Sequence, residues 1–394
     1  MTTERSGEAE PRVQEVAATG LSPARILRAA LVWQLLGIIA WELQPAFRFF
    51  IAALCGGALL LLLAEPQGVR IGRIIVLGAA LGLLWGIGAA EPLAALRAHP
   101  ALLGAFLGLG AMADFALHPA KDGGVTLAGF GIPAFVFVVA LSLVPMGRGW
   151  LVTRDAVLLL ADRSLGGLPS YAVAEAFAAF RPLAALSWAA YLTLPVEAAL
   201  VVLVALRRGR PDMNSRRILL ACGVAGLAGV LGYWICPAAG PRYAFPEFPA
   251  RPVAVSLTGM TVAPGFPRNA MPSLHFAWAW MLHRAARPVP WLRWATLAWL
   301  AGIVMAALGF GEHYLIDLVV AVPFVAAIEA GIARERTRLL VAGTIVAAWV
   351  LFLGNDGGMT PLPAWASVAA TLGAGIWALP GSVYAASDAS EPER

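Results

Sequence analysis

Five histidines occur among the 394 residues, and two of them sit in patterns that could move a proton or take a phosphoryl group. His313 stands four residues before Asp317 in Gly311-Glu-His-Tyr-Leu-Ile-Asp317, a spacing that puts both on one helix face. A carboxylate there can accept the Nδ1 proton of His313 and leave Nε2 as a lone-pair nucleophile. Its loss would cut turnover by up to ~10⁴, as in a Ser-His-Asp site. His275 closes Met271-Pro-Ser-Leu-His275, with Pro272 and Ser273 where a helix begins. Free N–H groups at that terminus, beginning at Ser273, suit a phosphate. Arg242, in Pro237-Ala-Ala-Gly-Pro-Arg-Tyr243, and Arg268 can supply forked donors to the remaining oxygens. His275 is then free to protonate a leaving oxygen.

These residues compose a metal-free phosphoryl-transfer site: His275, His313 and Asp317 catalytic, Arg242, Arg268 and Ser273 phosphate-binding. No set of three or four metal ligands stands near them, so no metal and no cofactor is expected. The two imidazoles should lie within one phosphate's reach, about 4–8 Å apart.

Other ionisable residues carry weaker signals. His99 and His283 read as structural or interfacial. Asp114 and His118 also stand four apart but have no arginine pair nearby. Taken alone, Arg242 is as good a headgroup anchor as a ligand. Glu197, near the middle of an apolar stretch, is balanced between a functional group and a helix-bundle contact.

The elements that position the site are membrane helices. Hydrophobic residues make up 60% of the chain, charged residues 13%, and mean hydropathy is +0.77; a soluble domain carries roughly 25% charged residues. Apolar stretches near the length that crosses a ~30 Å hydrocarbon core recur without the alternation of a barrel strand. The expected fold is all-α, a polytopic bundle with about twelve spans (ten to twelve): 26–42, 46–64, 74–90, 101–117, 127–146, 183–206, 217–236, 273–287, 291–310, 313–331, 338–354 and 364–380. The division that follows is a polar tail 1–23, an accessory bundle 24–146, a catalytic domain 147–335, a C-terminal pair of spans 336–380 and a polar tail 381–394. The tail 1–23 runs into the first apolar stretch, which reads as an uncleaved anchor. Cys55, Cys222 and Cys236 have no spacing for a zinc site or a disulfide framework.

The net charge of +5 comes almost wholly from arginine, Lys121 being the one lysine, in short clusters between apolar segments. That pattern signals topology, not nucleic-acid binding. Placing the loops around Arg207–Arg217, Arg284–Arg293 and Arg334–Arg338 in the cytoplasm also puts Arg70, Arg73, Lys121 and both termini inside. Segments 147–182, with a helix lying along the interface, and 237–272 fall outside. One helical hairpin then carries His275 and His313 to the same outer surface although 38 positions separate them.

The PSLH and G-x-H-Y-x-x-D sequences resemble the second and third motifs of the type-2 phosphatidic acid phosphatase superfamily. The leucine before His275 and the tyrosine after His313 are most similar to its inositol phosphorylceramide synthase-like branch, and Pro-Ala-Ala-Gly-Pro-Arg resembles that branch's first motif. The resemblance covers roughly residues 150–335. It implies a phosphohistidine mechanism, with His313 as nucleophile, Asp317 orienting it and His275 as general acid and then base, at an extracytoplasmic active site. The phosphatase pattern has a lysine seven residues before the first-motif arginine, where this chain has Ile235, and an arginine six before the third-motif histidine, where it has Ala307. The synthase-like branch tends to lack both cations.

The expectation is a lipid phosphatase or phosphotransferase in a bacterial inner membrane. Its partners are the bilayer and a lipid phosphate or phosphodiester, not nucleic acid. A transporter or flippase for a lipid or prenyl-linked substrate and a non-catalytic scaffold remain as rivals; internal symmetry that would favour transport is not evident. Acceptor, lipid and oligomeric state are open.

Overall fold

The computed structural model describes residue 80 and residues 152–208, 213–250, 262, 268–354, 364–381 and 383–384. The spans expected between 26 and 146, the tail 1–23, His99 and the Asp114–His118 pair lie outside the described residues. Those described form helices and no strand.

The segment expected to lie along the interface contains two short helices, α1 (Asp155–Arg163) and α2 (Pro169–Ala179). Asp155 at the start of α1 and Arg163 at its end match the helix dipole. Gly166, at φ 88°, turns the chain, and Pro169 opens α2 at a position that needs no N–H.

The expected single span 183–206 is broken. It forms α3 (Arg181–Leu192) and α4 (Leu194–Arg208), and the segments Arg181–Leu192 and Val196–Ala205 meet at 61°. Pro195 has no N–H to continue the ladder, and the Thr193 hydroxyl takes the Ala189 carbonyl at 2.6 Å.

Beyond the break come α5 (Ser215–Ile235), the single turn α6 (Pro241–Ala244), α7 (Leu274–Ala286), α8 (Pro290–Gly309), α9 (Leu315–Ala333), α10 (Arg336–Gly354) and α11 (Ala364–Ala378). Among the described residues four helical segments are long and apolar enough to cross a membrane: Arg217–Ile235, Pro290–Gly309, Leu315–Ala333 and Arg336–Leu353; the bent pair would make a fifth. At 13 residues, α7 is about 20 Å long, short of the core thickness that the expected span 273–287 would need.

α9 is the axis of the bundle. Its apolar window is 78% buried against 11% for α10, and α5, α7, α10 and α11 all pack on it. α7 is wedged between α4, α5, α8 and α9. At the end of α7 far from His275, the Arg284 Nε donates to both Glu329 oxygens at 3.1 and 2.9 Å, and Nη2 donates to the Pro380 carbonyl at 2.7 Å. The Tyr384 hydroxyl adds a 2.7 Å bond to Glu329. Arg217 and Arg338 donate to the Val383 and Leu379 carbonyls, so the chain after α11 is strapped across this arginine-rich end.

Candidate active site

Three pieces of chain meet at the opposite end of the bundle: residues 237–243, 268–275 and 311–317. Gly240, at φ 95°, lies so close to the third piece that a Cβ would run into the Glu312 carbonyl. Gly311, at φ 67°, brings its carbonyl to the Arg242 N–H at 3.0 Å. Ala270 of the second piece donates to the Ala238 carbonyl of the first at 2.8 Å.

His275 is the second residue of α7. Tyr191 of α3 covers one face of its ring, with centroids 3.8 Å apart and planes 13° apart. The His313 ring stands 6.4 Å away, centroid to centroid, at 61°.

His313 differs from the sequence expectation in one respect. It sits in the loop before α9, with Tyr314 as the N-cap, so it does not share a helix face with Asp317. Its Nδ1 lies 2.8 Å from the Ala270 carbonyl oxygen and 3.6 Å from Asp317 Oδ2, the latter beyond hydrogen-bonding range. A carbonyl can only accept, so Nδ1 carries the proton and Nε2 keeps its lone pair. The orienting bond expected of Asp317 is therefore made by Ala270. Asp317 Oδ2 instead accepts from the Tyr314 N–H at 2.8 Å, tying the first turn of α9. The remaining oxygen, Oδ1, is buried without a hydrogen-bond partner among the described residues.

The His313 backbone is held from both sides. Its N–H donates to Ala307 at 2.9 Å, and its carbonyl accepts from the Ser170 hydroxyl at 3.0 Å. Burial pushes the imidazole pKa down to about 4, against the upward pull of Glu312 and the Ala270 carbonyl. At neutral pH the ring is an uncharged base.

Arg242 is half exposed and pairs with Glu312 at 3.3 Å. The Tyr243 hydroxyl lies 3.2 Å from both Glu312 oxygens. Burial raises the Glu312 pKa and Arg242 lowers it. Arg268 is buried, donating from Nη2 to the Val262 carbonyl at 2.9 Å, two residues before the carbonyl that holds His313. Ser273 is fully buried as the N-cap of α7, its oxygen 3.5 Å from the Phe276 N–H. His283 bonds Thr296 at 3.1 Å at the far end of α7. Glu197 is completely buried, and neither carboxyl oxygen has a hydrogen-bond partner among the described residues. No group of three or more His, Cys, Asp and Glu that could hold a metal occurs among the described residues.

Two residues that sequence reasoning passed over anchor the site. Asp162 of α1 accepts from the Leu315 and Ile316 N–H groups at 2.9 and 3.1 Å, capping α9 from another helix. Burial pushes its carboxyl up to about 7, against the pull of those two donors. Asp155, seven positions earlier, accepts from the Ala239 and Gly240 N–H groups and the Tyr314 hydroxyl. Two aspartates two turns apart in an otherwise apolar run, Asp155-Ala-Val-Leu-Leu-Leu-Ala-Asp162, were the available signal.

Residues 156–330 match the family model of the PAP2 superfamily. That segment contains both histidines, Asp317, Arg242, Arg268 and Ser273, and ends before α10. No match was found among curated proteins or among solved structures. The family match and the apolar helices suggest phosphatase or phosphotransferase activity in an integral membrane protein.

Proposed function

We propose that the protein transfers or hydrolyses the phosphoryl group of a lipid phosphate or phosphodiester through a phosphohistidine on His313. The observation that carries this reading is the pairing of His313, its Nδ1 proton committed to Ala270, with a second imidazole 6.4 Å away. Nε2 of His313 attacks phosphorus, and the bond from phosphorus to the lipid oxygen breaks. His275, which burial and then the neighbouring His313 hold well below the ordinary histidine pKa, must take up a proton as the anionic substrate binds, and gives it to that oxygen. Neutral His275 then takes a proton from water or an acceptor alcohol, whose oxygen attacks the phosphohistidine and restores His313. The cationic phosphoimidazole is stabilised by the Ala270 carbonyl and, at 3.6 Å, by the Asp317 charge. Arg242 and Arg268 bind the phosphate oxygens, beside the start of α7 at Ser273.

The likeness to the inositol phosphorylceramide synthase-like branch gains support from the two missing cations. Ile235 is 62% exposed at the end of α5, whereas Ala307 is fully buried and its carbonyl holds His313. A lipid substrate is supported by an apolar groove of about 870 Å³ between α5, α9 and α10. Met271 and Pro272 line it, immediately before Ser273. The bundle end carrying Arg217, Arg284 and Arg338 is taken as cytoplasmic, which faces the histidines outward.

The test is incubation of the detergent-solubilised protein with a panel of lipid phosphates and phosphodiesters in the presence of a chelator. Mass spectrometry reads free phosphate and new phospholipids. Turnover that His313→Ala abolishes is expected; no product from any phosphoester, or turnover that needs an added divalent ion, overturns the reading.

A further inference from the structure

We propose that Asp155 is a positioning residue of this site, one that fixes where Arg242 stands relative to His313. The inference rests on the phosphoryl-transfer reading and concerns a residue just outside the matched segment 156–330.

Asp155 is completely buried at the start of α1. Its Oδ1 accepts from the Gly240 N–H at 2.8 Å, the Ala239 N–H at 3.1 Å and the Tyr314 hydroxyl at 2.8 Å. Its Oδ2 accepts from Ala239 at 3.0 Å. Every partner in these bonds is a donor, which favours the anion against the burial that pushes this carboxyl's pKa up. Gly240 is two residues before Arg242, and Tyr314 is the residue after His313. One carboxylate thus joins the chain bearing the phosphate-gripping guanidinium to the chain bearing the nucleophile. The same charge reaches Arg268, opposing the lowering that burial imposes on that guanidinium.

The other ties between the two chains among the described residues do not hold Gly240 and Tyr314 to one group: Ala270 links Ala238 to the His313 ring, and Gly240 packs against the Glu312 carbonyl. Glu312 pairs with Arg242 through an exposed guanidinium, a weak tie by itself. The Arg242 N–H to Gly311 carbonyl bond is a single contact. If Asp155 is neutralised, Ala239–Gly240 and Tyr314 can drift relative to one another while the helices stay packed. In-line attack tolerates little drift: a misplacement of about 1 Å can cost on the order of 100-fold in rate.

The experiment compares Asp155→Asn, which keeps the shape and one acceptor oxygen, with Tyr314→Phe, which removes only the hydroxyl, and with the double variant. Turnover of an aryl phosphate ester and quench-trapped phosphohistidine are measured beside thermal unfolding in detergent. Each single variant is expected to lose about 10- to 100-fold in kcat and in the rate of phosphohistidine formation, with KM within about threefold of the parent. The double variant should be no worse than the poorer single, because both cut the same link. Folded variants with the parental kcat overturn the inference, as do losses that simply multiply in the double. A loss that vanishes at a temperature where the variant is fully folded also overturns it. If Asp155→Asn does not fold, Tyr314→Phe decides alone by the same split of kcat from KM. A parent protein that turns over no phosphoester removes the phosphoryl-transfer reading and this inference together; an active parent with indifferent variants removes this inference alone.

Discussion

The Nδ1–H of His313 is held by the main-chain carbonyl of Ala270 at 2.8 Å, not by the carboxylate four residues downstream. A main-chain carbonyl cannot titrate and cannot be deleted by a side-chain substitution, so the tautomer of the proposed nucleophile is built into the backbone of the neighbouring motif. The aspartate is left with an electrostatic role and a place in the first turn of α9.

Asp317→Asn should therefore be far milder than in a site where the carboxylate orients the imidazole. We expect kcat to fall about 10- to 100-fold, the loss of one nearby charge, instead of the ~10⁴ that a wrong tautomer costs. Single-turnover phosphohistidine formation at fixed pH measures it.

The acid limb of kcat/KM should lie near pH 4, since burial lowers His313 to about 4 and kcat/KM reports the free enzyme. Below that pKa Nε2 is protonated and has no lone pair; above it the nucleophile is ready. The folded pKa is depressed below the usual ~6.5, so the stability linked to His313 is fully present above pH 6.5 and is lost as pH falls through 4. A phosphodiester substrate, whose charge is constant over this range, isolates the limb. An acid limb at the ordinary histidine value would contradict the assignment.

Gly343 lines the apolar groove, and a Cβ there would meet nothing within 4 Å. Gly343→Trp should plug the groove without disturbing its walls. Expected is a loss of at least about tenfold in kcat/KM for a long-chain lipid phosphate, equivalent to about 1.4 kcal/mol, with the rate on a short aryl phosphate unchanged. Equal losses on both substrates would separate the groove from the lipid tail.

Arg284→Ala should leave the Glu329 carboxylate buried and uncompensated, costing about 3–5 kcal/mol. Arg284→Met combined with Glu329→Leu should recover most of that loss, because an apolar pair needs no desolvation of charge. Thermal unfolding in detergent reads both, and KM of the folded variants should not move.

The convergence of His275 and His313 was legible because a helical hairpin, α7 and α8, returns the chain to its starting level, although α7 is shorter than the expected span. The helical class was legible from apolar stretches of spanning length that lack the alternation of barrel strands. Asp155 and Asp162 were not, because their partners Gly240, Tyr314 and Leu315 are far away in sequence, and a carboxylate in a short apolar helix carries no mark of what it will cap. The bend at Thr193 was hidden because hydropathy counts Pro195 as one more residue of an apolar run. The same-face placement of His313 and Asp317 failed for a local reason: Gly311 turns the chain and delays the helix until Leu315. Neither the twelve-span count nor the accessory bundle is reached by the described residues.

Ala307 has a consequence for how this sequence can drift. The phosphatase pattern it resembles carries an arginine there, but here the position is fully buried and its carbonyl supports the His313 backbone. A guanidinium placed in that packed spot would arrive cut off from solvent, and its desolvation would cost several kcal/mol before it could grip any phosphate. Placing a cation there would require neighbouring side chains to shrink first. With position 307 closed to a cation, any anion-binding charge at this site has to come from elsewhere in the chain.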